Sequence, residues 1–137
     1  MYKMAPINQT ALPAKYNSRK EEITGQFVEM AEKHIQELMD FTQARRFTAA
    51  EFGRRLFIHP VHLTNTLRLT LGKSVCDYME QRLIQEAEKL LRETDLSIAE
   101  VGMRFAYEDA SNFTKFFKSM KGVTPREYRK QLAALEK

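Results

Sequence analysis

Three kinds of residue in this 137-residue sequence could do chemistry. His59 and His62 stand at a helical spacing where two imidazoles can share a metal. No cysteine or acidic ligand pair accompanies them in sequence, so no metal site is expected. Cys76, the single cysteine, excludes an internal disulfide framework and fits a reducing cytosol. It falls on the apolar side of a helix start and is expected to be buried rather than nucleophilic. There is no Gly-rich phosphate loop and no Ser/His/Asp or Cys/His constellation, so neither an enzyme nor a cofactor is expected. The third kind is cationic. Residues 104–130 hold seven basic side chains (Arg104, Lys115, Lys118, Lys121, Arg126, Arg129, Lys130) against three acidic ones, whereas residues 80–103 hold three and six. In a chain of net charge +4, such local clustering points to a polyanionic partner. Part of this stretch, "RFAYEDASNFTKFFK" from Arg104 to Lys118, interleaves the basic residues with aromatic rings. Those rings are either a core or an external gripping surface.

Positioning these residues falls to helices. With 43% hydrophobic and 29% charged residues the composition is that of one globular domain, or one domain and a tail. No apolar run approaches the roughly 18 residues of a membrane span, and the N-terminus lacks the apolar region of a secretory signal. Residues 1–20 read as a flexible tail or linker remnant. From about 21 to 44, Phe27, Met30, Ala31, Ile35, Leu38 and Phe41 recur at steps of three and four, predicting one amphipathic helix. "TAAE" from Thr48, "SIAE" from Ser97 and "TPRE" from Thr124 are capping boxes, in which a hydroxyl and a glutamate exchange hydrogen bonds with each other's backbone amides. "SVCD" from Ser74 is a weaker version. No β-alternating segment is present, so the fold class is all-α.

The sequence also repeats itself. Aligning Thr48 with Ser97 pairs Glu51 with Glu100, Gly53 with Gly102 and Arg55 with Arg104. After one extra residue in the second copy, Leu63 pairs with Phe113, Leu67 with Phe117, Gly72 with Gly122 and Tyr78 with Tyr128. Each copy reads as a capped helix, a tight turn and a second helix ended by glycine. Gly53 and Gly102 sit where a bulky side chain would hold the second helix away, as a helix-turn-helix pair requires. The expected parts are a first helix-turn-helix at about 48–70, a linker helix at about 74–92, a second helix-turn-helix at about 97–119 and a C-terminal helix at about 125–135. A linker of about 19 residues is roughly 28 Å long, and successive major-groove faces of B-DNA recur about every 34 Å.

From about Met30 to Leu132 the chain resembles the DNA-binding domain of the AraC/XylS family of bacterial transcription regulators. The likeness is carried by Gly72, Ser74, Tyr78, Leu90, Leu91, Ser97, Ile98 and Val101, then by Phe113, Lys115, Phe117, Lys118, Gly122, Thr124, Pro125, Tyr128 and Arg129. The resemblance implies two helix-turn-helix subdomains joined by a long helix, no catalysis, a cytoplasmic and nucleoid-associated location, and double-stranded DNA as partner. It implies an activator, with RNA polymerase subunits as further partners. The family's base-reading positions fall on Val61, His62, Thr64 and Asn65, and in the second unit on Ala110, Ser111, Asn112, Thr114 and Lys115. Asparagine can bond adenine bidentately, and valine can touch a thymine methyl. Arg68, Lys73, Lys118 and Lys121 are placed for phosphates, which set affinity and register rather than sequence choice. Phe113, Phe116 and Phe117 are expected as core, and Met79, Met103 and Met120 as core filler.

Four departures from the family pattern stand out. Ala106-Tyr107 and Phe57 occupy turn positions where the family carries glycine, and a non-glycine residue at positive φ is strained. His59-Pro60 replaces Ser-Pro and loses a good N-cap. Arg82 is the shifted counterpart of a mid-helix arginine. With only about 20 linker-like residues before its first helix, the chain reads either as a stand-alone regulator, which the family includes, or as a fragment lacking a sensing and dimerising domain, the fragment being the favoured reading. The rival class is an all-α protein-interaction module whose basic face binds an acidic protein.

Overall fold

The apolar stripe predicted near the N-terminus forms the longest helix of the structure, a computed structural model that describes residues 14–136, with side chains from residue 19. This helix, α1, runs from Ala14 to Met39. It begins inside the stretch read as a tail, of which residues 1–13 lie outside the described residues. It also ends earlier than the periodicity suggested. Phe41 takes a left-handed conformation (φ 64°) with its ring 58% exposed. The amides of Phe41 and Thr42 fold back onto the carbonyls of Leu38 and Glu37 at 3.1 and 2.9 Å, satisfying the orphan acceptors of the last turn.

Six further helices follow: α2 (Ala49–Leu56), α3 (Pro60–Leu71), α4 (Val75–Glu93), α5 (Ile98–Met103), α6 (Ala110–Lys121) and α7 (Pro125–Leu135). Among the described residues there is no strand, and no helix is long and apolar enough to cross a membrane. Two compact units result. The first takes the chain up to Lys33 together with Phe47–Tyr78, and the second takes His34–Arg46 together with Met79–Lys137.

In the first unit Ile23, Phe27, Ala31, Phe52, Leu63 and Leu67 are fully buried. The Phe27 ring meets Phe52 and Tyr78 edge-on, with centroids 5.2 and 5.3 Å away, a geometry worth roughly 0.5–1.5 kcal/mol beyond burial alone. Tyr78 turns its hydroxyl to the Glu32 carboxylate at 2.8 Å. α1 is further tied to α3 by the hydroxyls of Thr24 and Thr70, 2.7 Å apart, one donating to the other.

In the second unit the core is built from Leu38, Leu83, Ala87, Leu91, Val101, Phe105, Phe113 and Phe117. Two arginines of the basic stretch serve this unit internally. Arg129 donates to the carbonyls of Leu91 and Thr94, both at 3.0 Å, at the end of α4. Arg104 donates to the Met39 carbonyl at 3.1 Å, at the end of α1, and its guanidinium lies over the Phe41 ring at 5.0 Å. Cations suit helix C-termini, where carbonyls are orphaned and the dipole is negative. Arg82 pairs with Glu86 at 3.1 Å on α4.

Two burial expectations are corrected. Cys76 is exposed, because Val75, one residue back and about 100° round the helix, takes the inward position. Met103, at the end of α5, is 47% exposed and not core filler. Ser74 makes a better cap than its class suggested. Its hydroxyl accepts from the Asp77 amide at 3.1 Å, and the Asp77 carboxylate accepts from the Ser74 amide at 3.3 Å.

Candidate nucleic-acid interface

Each unit builds one helix pair in the same way. Thr48 starts α2 with a complete capping box: its hydroxyl accepts from the Glu51 amide at 3.1 Å, and its own amide donates to the Glu51 carboxylate at 3.4 Å. α2 then closes on the start of α3. A β-carbon at Gly53 would lie 2.6 Å from the Ile58 carbonyl oxygen and 3.2 Å from Pro60, so only glycine permits the crossing. The turn is made by Phe57 at φ 60°, ψ 39°, with the Ile58 amide bonded to the Gly53 carbonyl at 2.8 Å. The cap expected to be lost is supplied by imidazole instead, since His59 Nδ1 accepts from the Val61 amide at 3.1 Å. Pro60 at the first helical position suits the start of α3, and Gly72 at φ 71° ends it.

On α3 the structure separates two faces. Leu63, Thr66 and Leu67 are buried, while Val61, His62, Asn65 and Arg68 are exposed and Thr64 is half-buried. Val61, Asn65 and Arg68 share a stripe at i, i+4 and i+7.

The second pair repeats the plan with different side chains. Ser97 caps α5 by accepting from Glu100 at 3.1 Å, and the Glu100 carboxylate accepts from the Ser97 amide at 2.8 Å. These bonds hold the Glu100 carboxyl below its ordinary pKa, the backbone bond contributing most. A β-carbon at Gly102 would lie 2.8 Å from Cβ of Phe113 on α6. Ala106 takes the left-handed position (φ 68°), and the Tyr107 amide bonds the Gly102 carbonyl at 3.1 Å, as Ile58 does in the first copy. The Tyr107 ring packs on Phe113 and stacks on Phe116, with centroids 5.7 and 5.6 Å away, and Arg46 lies over it at 4.7 Å. Burial raises the Tyr107 hydroxyl above its ordinary pKa. Asp109 caps α6 by accepting from the Asn112 amide at 2.8 Å.

On α6, Phe113 and Phe117 are buried and Phe116 is half-buried. Ser111, Asn112, Lys115 and Lys118 are exposed, with Ala110 and Thr114 half-buried. The Asn112 amide group also bonds the Asp109 carboxylate at 3.3 Å, so its side chain has a competing partner. Lys121 is paired with Glu88 at 3.0 Å and Lys73 is half-buried.

The sequence pattern did not reveal the placement of five residues. It gave no role to Arg19 and Lys20, which belong to α1 and stand beside His62 and Asn65 around one cavity. Arg104 and Arg129 read as part of a free basic patch, although each caps a helix end. His59 did not read as a cap, a role its place directly before a helix-starting proline could have signalled.

Two buried-core helix pairs, each crossing at a glycine and turning its second helix outward, define a double helix-turn-helix protein. The family model described as a helix-turn-helix domain matches residues 52–131, and the chain belongs to this AraC-type family of DNA-binding transcription regulators. It is 31% identical over 94 residues to the arabinose operon regulatory protein of Escherichia coli (strain K12), a match covering 69% of this chain and 32% of that protein. It is 37% identical over 73 residues to the transcriptional activator RhaR of Cronobacter sakazakii, covering 53% and 26%. The chain thus spans about a third or less of these two relatives. The C-terminal domain of AraT, a response regulator from Geobacillus stearothermophilus, superposes with a TM-score of 0.62 at 27% identity, covering 74% of this chain and 84% of that one. The DNA-binding domain of AdpA, solved in complex with a target DNA, superposes with a TM-score of 0.67, covering 79% and 93%; at 18% identity that likeness is one of fold.

Proposed function

We propose that this chain binds double-stranded DNA sequence-specifically as a transcription activator, with α3 and α6 entering successive turns of the major groove. The observation that carries this reading is the two-faced character of both helices, each sealed to its unit by buried residues on one side and open to solvent on the other. Val61, His62, Thr64 and Asn65 then meet base edges from α3, and Ala110, Ser111, Asn112, Thr114 and Lys115 do so from α6. Arg68 and Lys118 meet phosphates. Activation by such a protein also involves contact with RNA polymerase subunits.

A gel shift against a mixed-sequence duplex, repeated across salt, tests the reading. Log affinity should fall steeply and linearly with log salt. Selection from a random duplex pool should return two half-elements about one helical turn apart. A single short element would leave one helix pair idle, and no duplex binding at low salt would favour an acidic protein as the partner.

A further inference from the structure

The N-terminal part of α1 brings two cations to the edge of the face that α3 presents. Ile23 is fully buried and Thr24 is held to Thr70, so the backbone of α1 is pinned along α3 just beyond Lys20. Between the two helices lies an open cavity of about 240 Å³. Arg19 and Lys20 line one side of it, His62 and Asn65 the other, with Ile23 and Leu69 as its apolar part. It falls short of the roughly 300–1,000 Å³ that encloses a drug-sized ligand. It is a notch whose cationic wall and base-reading wall share one opening.

We propose that Arg19 and Lys20 bind backbone phosphates of the DNA strand bordering the groove that α3 enters. This rests on the reading of α3 as a groove-entering helix. Arg19 already holds a carboxylate, Glu22, at 3.0 Å, with both side chains more than half exposed. An exposed pair of this kind is worth about 0–1 kcal/mol, so a phosphate can displace the glutamate. A guanidinium presents its donors as a fork matched to phosphate oxygens, while Lys20 adds a point charge. Contacts of this kind raise affinity and fix register, and they leave the choice of bases to α3.

The test compares the parent chain, an Arg19→Gln/Lys20→Gln double variant and a Glu22→Gln variant, on a mixed-sequence duplex and on a duplex recovered by selection. Losing two phosphate contacts should reduce the slope of log affinity against log salt by about 1.8. Between about 50 and 200 mM salt the double variant then loses about tenfold less affinity than the parent. The ratio of selected to mixed-sequence affinity should stay the same, and so should the melting temperature. Glu22→Gln, which frees Arg19, should bind about two- to fivefold more tightly. An unchanged slope in a double variant whose parent binds overturns this inference alone. A changed selectivity ratio also overturns it, because the pair would then act by placing α3. A parent that binds no duplex overturns both this inference and the reading beneath it.

Discussion

The two helix-turn-helix units share a scaffold and differ in what they hang on it. Both have a complete capping box, a glycine at the helix crossing, a non-glycine residue in the left-handed turn and a glycine at the end of the second helix. In the first unit the exposed face of α3 carries one permanent cation, Arg68, among Val61, His62 and Asn65. In the second, α6 exposes Lys115 and Lys118. The turns differ too. Phe57 leaves its ring 95% exposed, whereas Ala106 is followed by Tyr107, whose ring is packed between Arg46 and two phenylalanines. The common features are those that set the crossing of two helices; the variable ones face outward or fill the turn. Under the proposed function both units contribute base choice and affinity, and they differ in where the cations stand: on α6 itself in the second unit, on α3 and the neighbouring part of α1 in the first.

The strongest way to break this comparison is at the shared core. Phe117→Ala removes a fully buried ring that contacts Phe113 and Tyr128, with centroids 6.0 and 5.4 Å away. It should cost about 3–5 kcal/mol, and its counterpart Leu67→Ala about 2–5 kcal/mol, by denaturant unfolding. If Phe117→Ala unfolded like the parent and lost only duplex binding, the ring would be an external platform and the equivalence of the two positions would fail. Next in size are the crossing glycines. Gly53→Ala drives a methyl against a backbone carbonyl, and Gly102→Ala drives one against the Cβ of Phe113. Each should cost about 1–3 kcal/mol. Gly53→Ala should be the worse, because a carbonyl within a tight turn moves less easily than a side chain. Equal stability of Gly53→Ala and the parent would mean that the first crossing is looser than the second.

Much of this was legible in the sequence, because helix signals are local. The capping residues Thr48, Ser74, Ser97 and Thr124 stand directly before α2, α4, α5 and α7, and the stop glycines Gly72 and Gly122 directly after α3 and α6. The small residues Gly53 and Gly102 announced the crossings. Exposure and pairing were less legible, since they depend on residues far away in the chain. Phe41 fits the apolar period of α1, but the helix turns back before reaching it. Arg104 and Arg129 look like free cations until the helix ends they cap, 65 and 38 residues away, are brought beside them. The start of α1 was hidden because its polar composition resembles that of a linker. For the candidate site, the buried faces of α3 and α6 followed from the apolar period, whereas the base-reading positions came from the family resemblance alone. The bond between Asn112 and Asp109 did not, because it needs the rotamers of both.

The capping boxes give a smaller effect with a pH signature. Ser97→Ala should cost about 1 kcal/mol at neutral pH, measured by thermal or denaturant unfolding. The Glu100 and Glu127 carboxyls are both held below the ordinary value of 4.5 by their bonds to Ser97 and Thr124. A carboxyl with a lowered folded pKa contributes stability that is fully present above the unfolded value and is lost as pH falls through the folded one. The parent should therefore lose stability below about pH 4.5, and Ser97→Ala should flatten that acid limb. An acid limb of equal steepness in both would show that the box in α5 does not carry the linkage.

The smallest effect concerns the two strained turns and has the opposite sign. A left-handed conformation costs a residue with a β-carbon roughly 1–2 kcal/mol, and glycine gives back about 0.5–1 kcal/mol through its freer unfolded chain. Phe57→Gly should therefore stabilise the protein by about 0.5–1 kcal/mol, since a ring 95% exposed has little packing to lose. Ala106→Gly should gain no more than this, because Ala106 is half-buried and its methyl has contacts to give up. Duplex binding measured beside unfolding then sharpens the comparison. The ring belongs to no face assigned to DNA, so the gain in Phe57→Gly should come with unchanged affinity for the selected duplex. A gain in stability accompanied by a loss of affinity would instead place Phe57 in the interface, with the strain of the first turn retained to hold its ring outward. A loss of stability would show that the left-handed geometry at Phe57 is supported by contacts of the ring itself.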